Sequence, residues 1–250
     1  MPHDWDASTY DRIADPQARW GAPVVSWLDL QGHETVLDAG CGTGRVTEAV
    51  LARLPRGRLI GLDGSAAMLT EARRRLAAQR DRLWLFAADL AVPLPLAPGS
   101  LDAIISTATF HWITDHQALF RHLAEVLKPG GQLAAQCGGA GNIDSVRAAL
   151  RRVTGGTADR GQWDFSTPEQ AQERLERAGF VGVESWLTRE PTHYTDRAAL
   201  ESFLKTVVLW PFLEDQPSSE QDAFVARVAD ALPAMTLDYV RLNLRARLPE

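Results

Sequence analysis

The chain has 250 residues, 45% hydrophobic and 23% charged, with a formal net charge of −6 and a pI of about 5.6. That length carries a full core within one domain, and the acidic balance argues against a nucleic-acid partner, whose phosphates need a basic face. Cys41 and Cys137 give no disulfide framework, no Cys or His cluster has metal-ligand spacing, no apolar run approaches a membrane span, and the polar start lacks a basic-then-apolar leader pattern; the expectation is a cytoplasmic protein without a membrane or metal partner.

Residues 1–16 carry Trp5 and Tyr10 among acids and read as an arm. Trp20, Val24, Trp27 and Leu28 have helical spacing, so 1–30 reads as an N-terminal arm and helix. Val36 and Leu37 close a short apolar strand, and Gly40, Gly42 and Gly44 follow at alternate positions before a helix striped by Val46, Ala49 and Val50. Glycines in a strand-to-helix turn allow positive φ and let a ligand lie against the backbone. The N–H groups of the new helix point into the same space. A dinucleotide fingerprint would need glycine at position 45, where this chain has Arg45. Asp38, just before the glycines, would repel a pyrophosphate and attract an ammonium.

Arg58–Asp63 reads as a second strand ending in a carboxylate 25 positions after Asp38, where an acid receives the vicinal hydroxyls of a ribose. Gly64 or Ser65 caps a helix with Met68, Leu69, Ala72 and Leu76 on one face. Leu83–Asp89 is a third strand, again with an acid at its end. Beyond Pro93, Pro95 and Pro98, Leu101–Ser106 is a fourth, with Asp102 structural at its start. The far end, Thr107–Trp112, faces the ligand crevice. A helix over 115–127 follows, with Thr114 and Gln117 spaced as a capping box and Asp115 as a first-turn charge; Lys128-Pro-Gly-Gly131 ends it before a fifth strand at Gln132–Cys137.

A helix over 144–153, a loop over Gly155–Phe165, and a helix opened by Thr167-Pro-Glu-Gln170 and closed by Gly179 come next. Val181, Val183, Ser185 and Leu187 alternate as a sixth strand. Asp196 then caps a helix carrying Leu200, Phe203, Leu204 and Val207, Trp210-Pro-Phe-Leu213 is a tight connection, and Ser218 or Ser219 starts another helix. At the end, Val240, Leu242, Leu244, Ala246 and Leu248 alternate with Arg241, Asn243, Arg245 and Arg247, the pattern of a half-exposed antiparallel strand.

The stretch 36–46 together with three strand-end acids, Asp38, Asp63 and Asp89, resembles the class I S-adenosylmethionine-dependent methyltransferases. The resemblance implies an α/β, Rossmann-like doubly wound sheet, mostly parallel with an antiparallel last strand. The length fits one domain over 1–250, the resemblance covers a cofactor core at 33–137, and the segment at about 190–235, with more aromatics (Tyr194, Trp210, Phe212) than a solvated loop needs, reads as a helical lid insertion. The family inserts its last strand within the sheet, which a row of arginines fits poorly. S-Adenosylmethionine has an α-ammonium and no phosphate, which suits Asp38. The implied cofactor residues are Asp38, Gly40, Gly42, Gly44, Gly64 and Thr107, with Asp63 on the ribose and Ala88, Asp89 and Leu90 on the adenine amine. Met68 is either an adenine platform or core filler.

Outside the core, Trp5-Asp-x-x-x-Tyr10, Phe110-His-Trp-Ile-Thr-Asp-His116, Trp210-Pro-Phe-Leu and Tyr239-Val-Arg-Leu are similar to the trans-aconitate methyltransferase group. Two departures stand out: that group often has glutamine where His111 stands, and 233–238 is shorter than its linker into the last strand.

Methyl transfer is an in-line displacement from an activated leaving group, so the protein chiefly positions the nucleophile and excludes water. A carboxylate needs no base; a phenol, amine or carbon nucleophile calls for one. His111 is therefore either a general base or a hydrogen-bonding wall residue. Acceptor contacts are expected from Tyr10, Arg19, His111, Trp112, His193, Tyr194 and Trp210, with Arg19 and Arg189 to draw in an anion. The functions in view are O-methylation of a small carboxylic acid, methylation of carbon, nitrogen or a phenol in secondary metabolism, and a binding subunit without turnover. The partner is a small-molecule acceptor, and the protein a monomer or homodimer.

Overall fold

The computed structural model describes residues 15–156, 163–214 and 216–250, with side chains from Trp20 onward. Trp5, Tyr10 and the Arg19 side chain lie outside the described residues.

Strands β1 (Thr35–Ala39), β2 (Arg58–Asp63), β3 (Leu83–Ala87), β4 (Leu101–Thr107) and β5 (Leu127–Gly138) join β6 (Val181–Arg189) and β9 (Val240–Arg247) in a seven-stranded sheet of order β3-β2-β1-β4-β5-β9-β6. The first five pair in parallel. β9 runs antiparallel to both of its neighbours. Two short strands, β7 (Thr192–His193) and β8 (Thr236–Leu237), pair separately. The helices are α1 (Asp15–Ser26), α2 (Arg45–Ala52), α3 (Ala66–Arg75), α4 (His116–Val126), α5 (Asp144–Val153), α6 (Pro168–Arg177), α7 (Arg197–Phe203), α8 (Trp210–Leu213) and α9 (Ser218–Asp230).

The central strands are apolar in runs because helices cover both faces. Val24 of α1, Leu28 just after it, and Val50 and Leu51 of α2 close over one face with Val36 and Ile105. Phe120 and Leu123 of α4 and Leu175 of α6 close over the other with Leu37, Leu62 and Ile104. Each such buried side chain contributes roughly 1.5–3 kcal/mol. A third cluster joins α5, α7, α8 and α9 around Phe203, Leu204, Phe224 and Val228. It stands past the carboxyl end of β5, where α5 begins.

β9 departs from the half-exposed expectation. Arg241, Leu242, Asn243 and Leu244 are all buried, because β9 is inserted between β5 and β6; of its polar residues, Arg245 and Arg247 are exposed. Its buried polar groups are accommodated. Asn243 accepts from Gln136 at 2.8 Å and donates to Thr188 at 3.0 Å, and the Arg241 guanidinium lies 4.9 Å from the Trp20 ring centre. β6 is the sheet edge, so its alternation leaves Val181 and Leu187 exposed.

Ser65, Thr167 and Asp196 cap α3, α6 and α7, and Thr167 and Gln170 form the capping box read from the sequence. α4 differs. Asp115 is its cap, accepting from Ala118 N–H at 2.9 Å, and Thr114 stands outside the helix. Asp102 accepts Thr35 N–H at 2.7 Å and Lys128 Nζ at 2.6 Å, tying three strands together at the end away from the crevice. α7 widens into a π-helical turn at Leu204–Val208, and the expected tight connection at 210–213 is itself a helical turn.

Candidate active site

A cavity of about 540 Å³ opens beyond the carboxyl ends of β1, β2 and β4. One end is built by the glycine turn. Gly40, Gly42 and Gly44 have φ of +84°, +53° and +84°, a region that side chains rarely enter. Gly40 and Cys41 N–H groups both donate to Leu62 O, at 2.7 and 2.9 Å, which pins the turn to β2. A Cβ on Gly40 would stand 2.1 Å from Thr109 Oγ1, whereas one on Gly42 would meet nothing within 4 Å, so the backbone there is open to a ligand. Gly44 has a packing role instead: it begins α2 against Leu76 and does not line the cavity.

Asp63 faces the cavity with both oxygens oriented, Oδ2 accepting from Gly42 N–H at 2.8 Å and Oδ1 from Ser65 N–H at 2.9 Å. Burial pushes its carboxyl above the usual range. Asp89 accepts from Ala91 N–H at 2.9 Å and lines the same end with Gly64, Met68, Ala88, Leu90 and Thr107.

Asp38 is a correction. It is fully buried beneath the turn, bonded to the Thr47 hydroxyl at 2.7 Å, and it does not reach the cavity. Its Oδ1 has no partner. Burial, with the neighbouring Asp63 charge, lifts its pKa to about 7. A carboxyl raised from 3.8 to about 7 in the fold loses stability as pH climbs through that window, because the folded state must then bury an ionised group. Asp38→Asn keeps an acceptor for Thr47. It should therefore stabilise the ligand-free protein increasingly from pH 5 to pH 8, the gain growing by roughly 2–3 kcal/mol between the two. Thermal unfolding at the two pH values measures this, and a difference that does not change with pH would refute it.

The other end of the cavity is aromatic and cationic. Just past β4, Ala108 is held at φ +57° with its N–H on Gln136 O at 2.7 Å. The chain then turns through Phe110–Trp112, with Phe110 anchored in the core and His111 and Trp112 in the cavity wall. His111 is 8% exposed. Its Nδ1 accepts from Gly138 N–H at 3.3 Å, which assigns the ring proton to Nε2. Burial, then Arg241, then His116 hold its pKa well below 6.5, so the ring is neutral. Trp112 lies 5.5 Å from Trp210 and 6.1 Å from Trp163, and Trp163 stacks on Phe165 at 5.7 Å and 9°. Arg241, Asn142, Tyr239, Val207 and Val208 complete this end.

The structure thus brings His111, Trp112 and Trp210 together and leaves other expected acceptor residues outside. His193 is exposed on β7, bonded to Thr236 at 2.9 Å. Tyr194 packs on Phe203 at 5.7 Å and does not line the cavity. Arg189 is exposed on the edge strand, and among the described residues the arginine that lines the cavity is Arg241. Trp20 and Phe212 belong to the helical cluster. His116 is buried away from the cavity, bonded to Phe110 O at 2.9 Å and Ser166 Oγ at 3.2 Å. Ser166 and the Asp164–Arg174 ion pair beside it fix the segment that carries Trp163 and Phe165. Trp163, Phe165 and Arg241 were missed as site residues. The first two sat in a stretch read only as loop, and Arg241 looked like one of four polar positions facing solvent.

The donor set suits the cofactor that the sequence resemblance implies. An open glycine backbone, an oriented carboxylate with lone pairs to spare at the end of β2, and a second carboxylate after β3 match a ribose and an adenine amine. Residues 36–131 match the family described as a methyltransferase domain. The chain is 31% identical to the trans-aconitate 2-methyltransferase of Methylobacterium nodulans over 98% of both chains. It is also 31% identical to that of Escherichia coli O1:K1 / APEC, over 90% of this chain and 86% of that protein. The solved Haemonchus contortus phosphoethanolamine N-methyltransferase 2 in complex with S-adenosyl-L-methionine shares the fold, with a TM-score of 0.67 and 19% identity over 98% of this chain and 57% of that one. No helix among the described residues is long and apolar enough to cross a membrane. Glycine turn, strand-end acids, inserted antiparallel strand and end-to-end similarity agree: the chain belongs to the trans-aconitate 2-methyltransferase family of S-adenosylmethionine-dependent methyltransferases.

Proposed function

We propose that this enzyme methylates a carboxylate oxygen of a small organic acid. The observation that carries the reading is a buried guanidinium, Arg241, sharing the cavity wall with the Nε2–H of a neutral His111. Both groups donate, and together they form an anion-receptive pole; a buried charge of this kind binds best to an opposite charge with matched donors. The relatives' name, trans-aconitate 2-methyltransferase, also points to an acid. Methylation of carbon, nitrogen or a phenol is not favoured.

Asp63 would take the ribose hydroxyls of S-adenosylmethionine, Asp89 with Ala88 and Leu90 the adenine amine, Met68 the face of the ring, and Gly40 and Gly42 the methionine half. When bound, the cofactor supplies a methyl group on a sulfonium, the activated carbon that the acceptor oxygen attacks. An ionised acid has no proton to lose, so His111 orients the acceptor by donating from Nε2 and removes nothing. Val207, Val208 and Trp210, from the insertion at 190–235, cover the acceptor end and exclude water. We also infer a cytoplasmic enzyme with a small-molecule partner, in keeping with two buried free thiols and a net charge of −6.

The reaction gives a methyl ester. Radiolabelled methyl groups transferred to a panel of small acids and phenols should be released as methanol by mild alkali. Label that survives alkali, on any acceptor turned over best, overturns the carboxylate reading.

A further inference from the structure

We propose that Asn142 binds the acceptor, its Nδ2–H donating to a carboxylate oxygen of the acid other than the one that takes the methyl group. This rests on the carboxylate reading above and adds a residue to it. Asn142 follows β5 in the run Gly138-Gly-Ala-Gly-Asn142 and is 2% exposed, and it lines the acceptor end of the cavity. Its Oδ1 accepts from Val240 N–H at 2.9 Å, which fixes the oxygen and nitrogen ends of the carboxamide. Among the described residues, Nδ2 has no hydrogen-bond partner. The side chain is almost wholly withdrawn from solvent, so the space left to this donor is the cavity. A buried donor without an acceptor is costly, and a ligand oxygen removes that cost.

Two donors meet at Gly138. Its N–H donates to His111 Nδ1 at 3.3 Å, and a Cβ on it would stand 2.9 Å from Asn142 Nδ2 and 2.7 Å from Phe165 Cε1. The absence of a side chain there lets His111 and Asn142 close on one glycine, each with an N–H left for a ligand. A donor on the attacked oxygen would tie up a lone pair needed for attack on the methyl carbon, so Asn142 suits another oxygen of the acid. The amide is also held in advance. Asn142 N–H donates to Gly139 O at 2.9 Å, Gly139 N–H to Val240 O at 3.0 Å, and Ile143 N–H to Asp238 O at 3.0 Å. Ile143 takes φ +50°, which a β-branched residue rarely adopts. Backbone of this kind persists where its surroundings over-determine it, and it recurs at ligand clamps.

The test measures methylation of trans-aconitate, fumarate and cinnamate by the unsubstituted enzyme, Asn142→Asp and Asn142→Ala, with calorimetric affinity for S-adenosylmethionine as the check on folding. Asn142→Asp keeps the acceptor for Val240 N–H and puts a negative oxygen where the donor was. For the acid turned over best, kcat/KM at pH 8 should fall by more than about 100-fold in Asn142→Asp and by about 30-fold in Asn142→Ala, the latter through KM with kcat within about threefold. The deficit of Asn142→Asp relative to the unsubstituted enzyme should shrink about tenfold at pH 6, as the introduced carboxyl takes up a proton and donates again. A residue that only holds Val240 predicts the reverse order, with Asn142→Asp the milder variant. That order, or an unchanged KM in Asn142→Ala, overturns this inference and leaves the carboxylate reading standing. Failure of the unsubstituted enzyme to methylate any of the acids overturns both.

Discussion

Asp63→Ala lowers affinity for S-adenosylmethionine by about 100-fold in calorimetry, the largest loss expected from any single change at the cofactor end. The carboxylate does two jobs. It accepts the Gly42 and Ser65 N–H groups at 2.8 and 2.9 Å, which holds the glycine turn against the end of β2. On the proposed reading its remaining lone pairs would receive a pair of ribose hydroxyls. Hydrogen bonds to a charged group contribute roughly 1.5–3 kcal/mol each, and two of them lost without replacement correspond to about two decades in affinity or more. Asp63→Asn keeps the shape but can accept at one oxygen only, so its loss should be smaller than that of alanine. Because burial raises the Asp63 pKa, affinity should also fall as pH drops towards the carboxylate range, where the protonated group loses acceptor capacity. Equal affinity in the unsubstituted protein and Asp63→Ala would reject the assignment.

The glycine turn and the carboxylates beside it were legible because their signals are local. Glycines at alternate positions after a short apolar strand, and acids at the ends of β2 and β3, describe the turn and both carboxylates without knowledge of the rest of the sheet. Two of its residues were still misplaced. Asp38 and Gly44 belong to the same motif, yet one is sealed beneath the turn on Thr47 and the other packs on Leu76. A motif says which residues the turn needs, and it does not separate those that touch a ligand from those that make the turn possible. The acceptor end was legible only in part, because it is assembled from segments distant in sequence. Alternation along 240–247 gave the strand, but the neighbours of a strand decide whether its polar face meets water. Insertion between β5 and β6 put Arg241 inside. Aromatic density in 190–212 suggested a cover, and the fold used Trp210 while leaving His193 and Tyr194 to the small β7–β8 pair and the helical cluster.

His111 separates a positioning role from proton transfer, and the two roles predict opposite results for one conservative change. Gly138 N–H occupies Nδ1, and burial beside Arg241 keeps the ring unprotonated. A ring whose folded pKa lies below 6.5 adds stability that is complete above that pH and is lost as pH falls through it, since the unfolded chain then takes up the proton. Between pH 7 and pH 9 the group should not change state at all. Under the positioning role, glutamine supplies the same pair of functions, an oxygen to accept from Gly138 and an N–H to donate into the cavity. His111→Gln should then keep kcat within about tenfold. His111→Ala loses the donor and leaves a void beside Phe165, which stacks on the ring at 5.9 Å. About 2–3 kcal/mol, or roughly 100-fold in kcat, is the expected cost, with cofactor affinity changed by less than about tenfold. Steady-state kinetics of both variants from pH 6.5 to 9 make the comparison. If glutamine is as inactive as alanine, and the unsubstituted enzyme shows an ionisation in kcat that both variants lack, His111 is a general base and the acceptor is not an ionised acid.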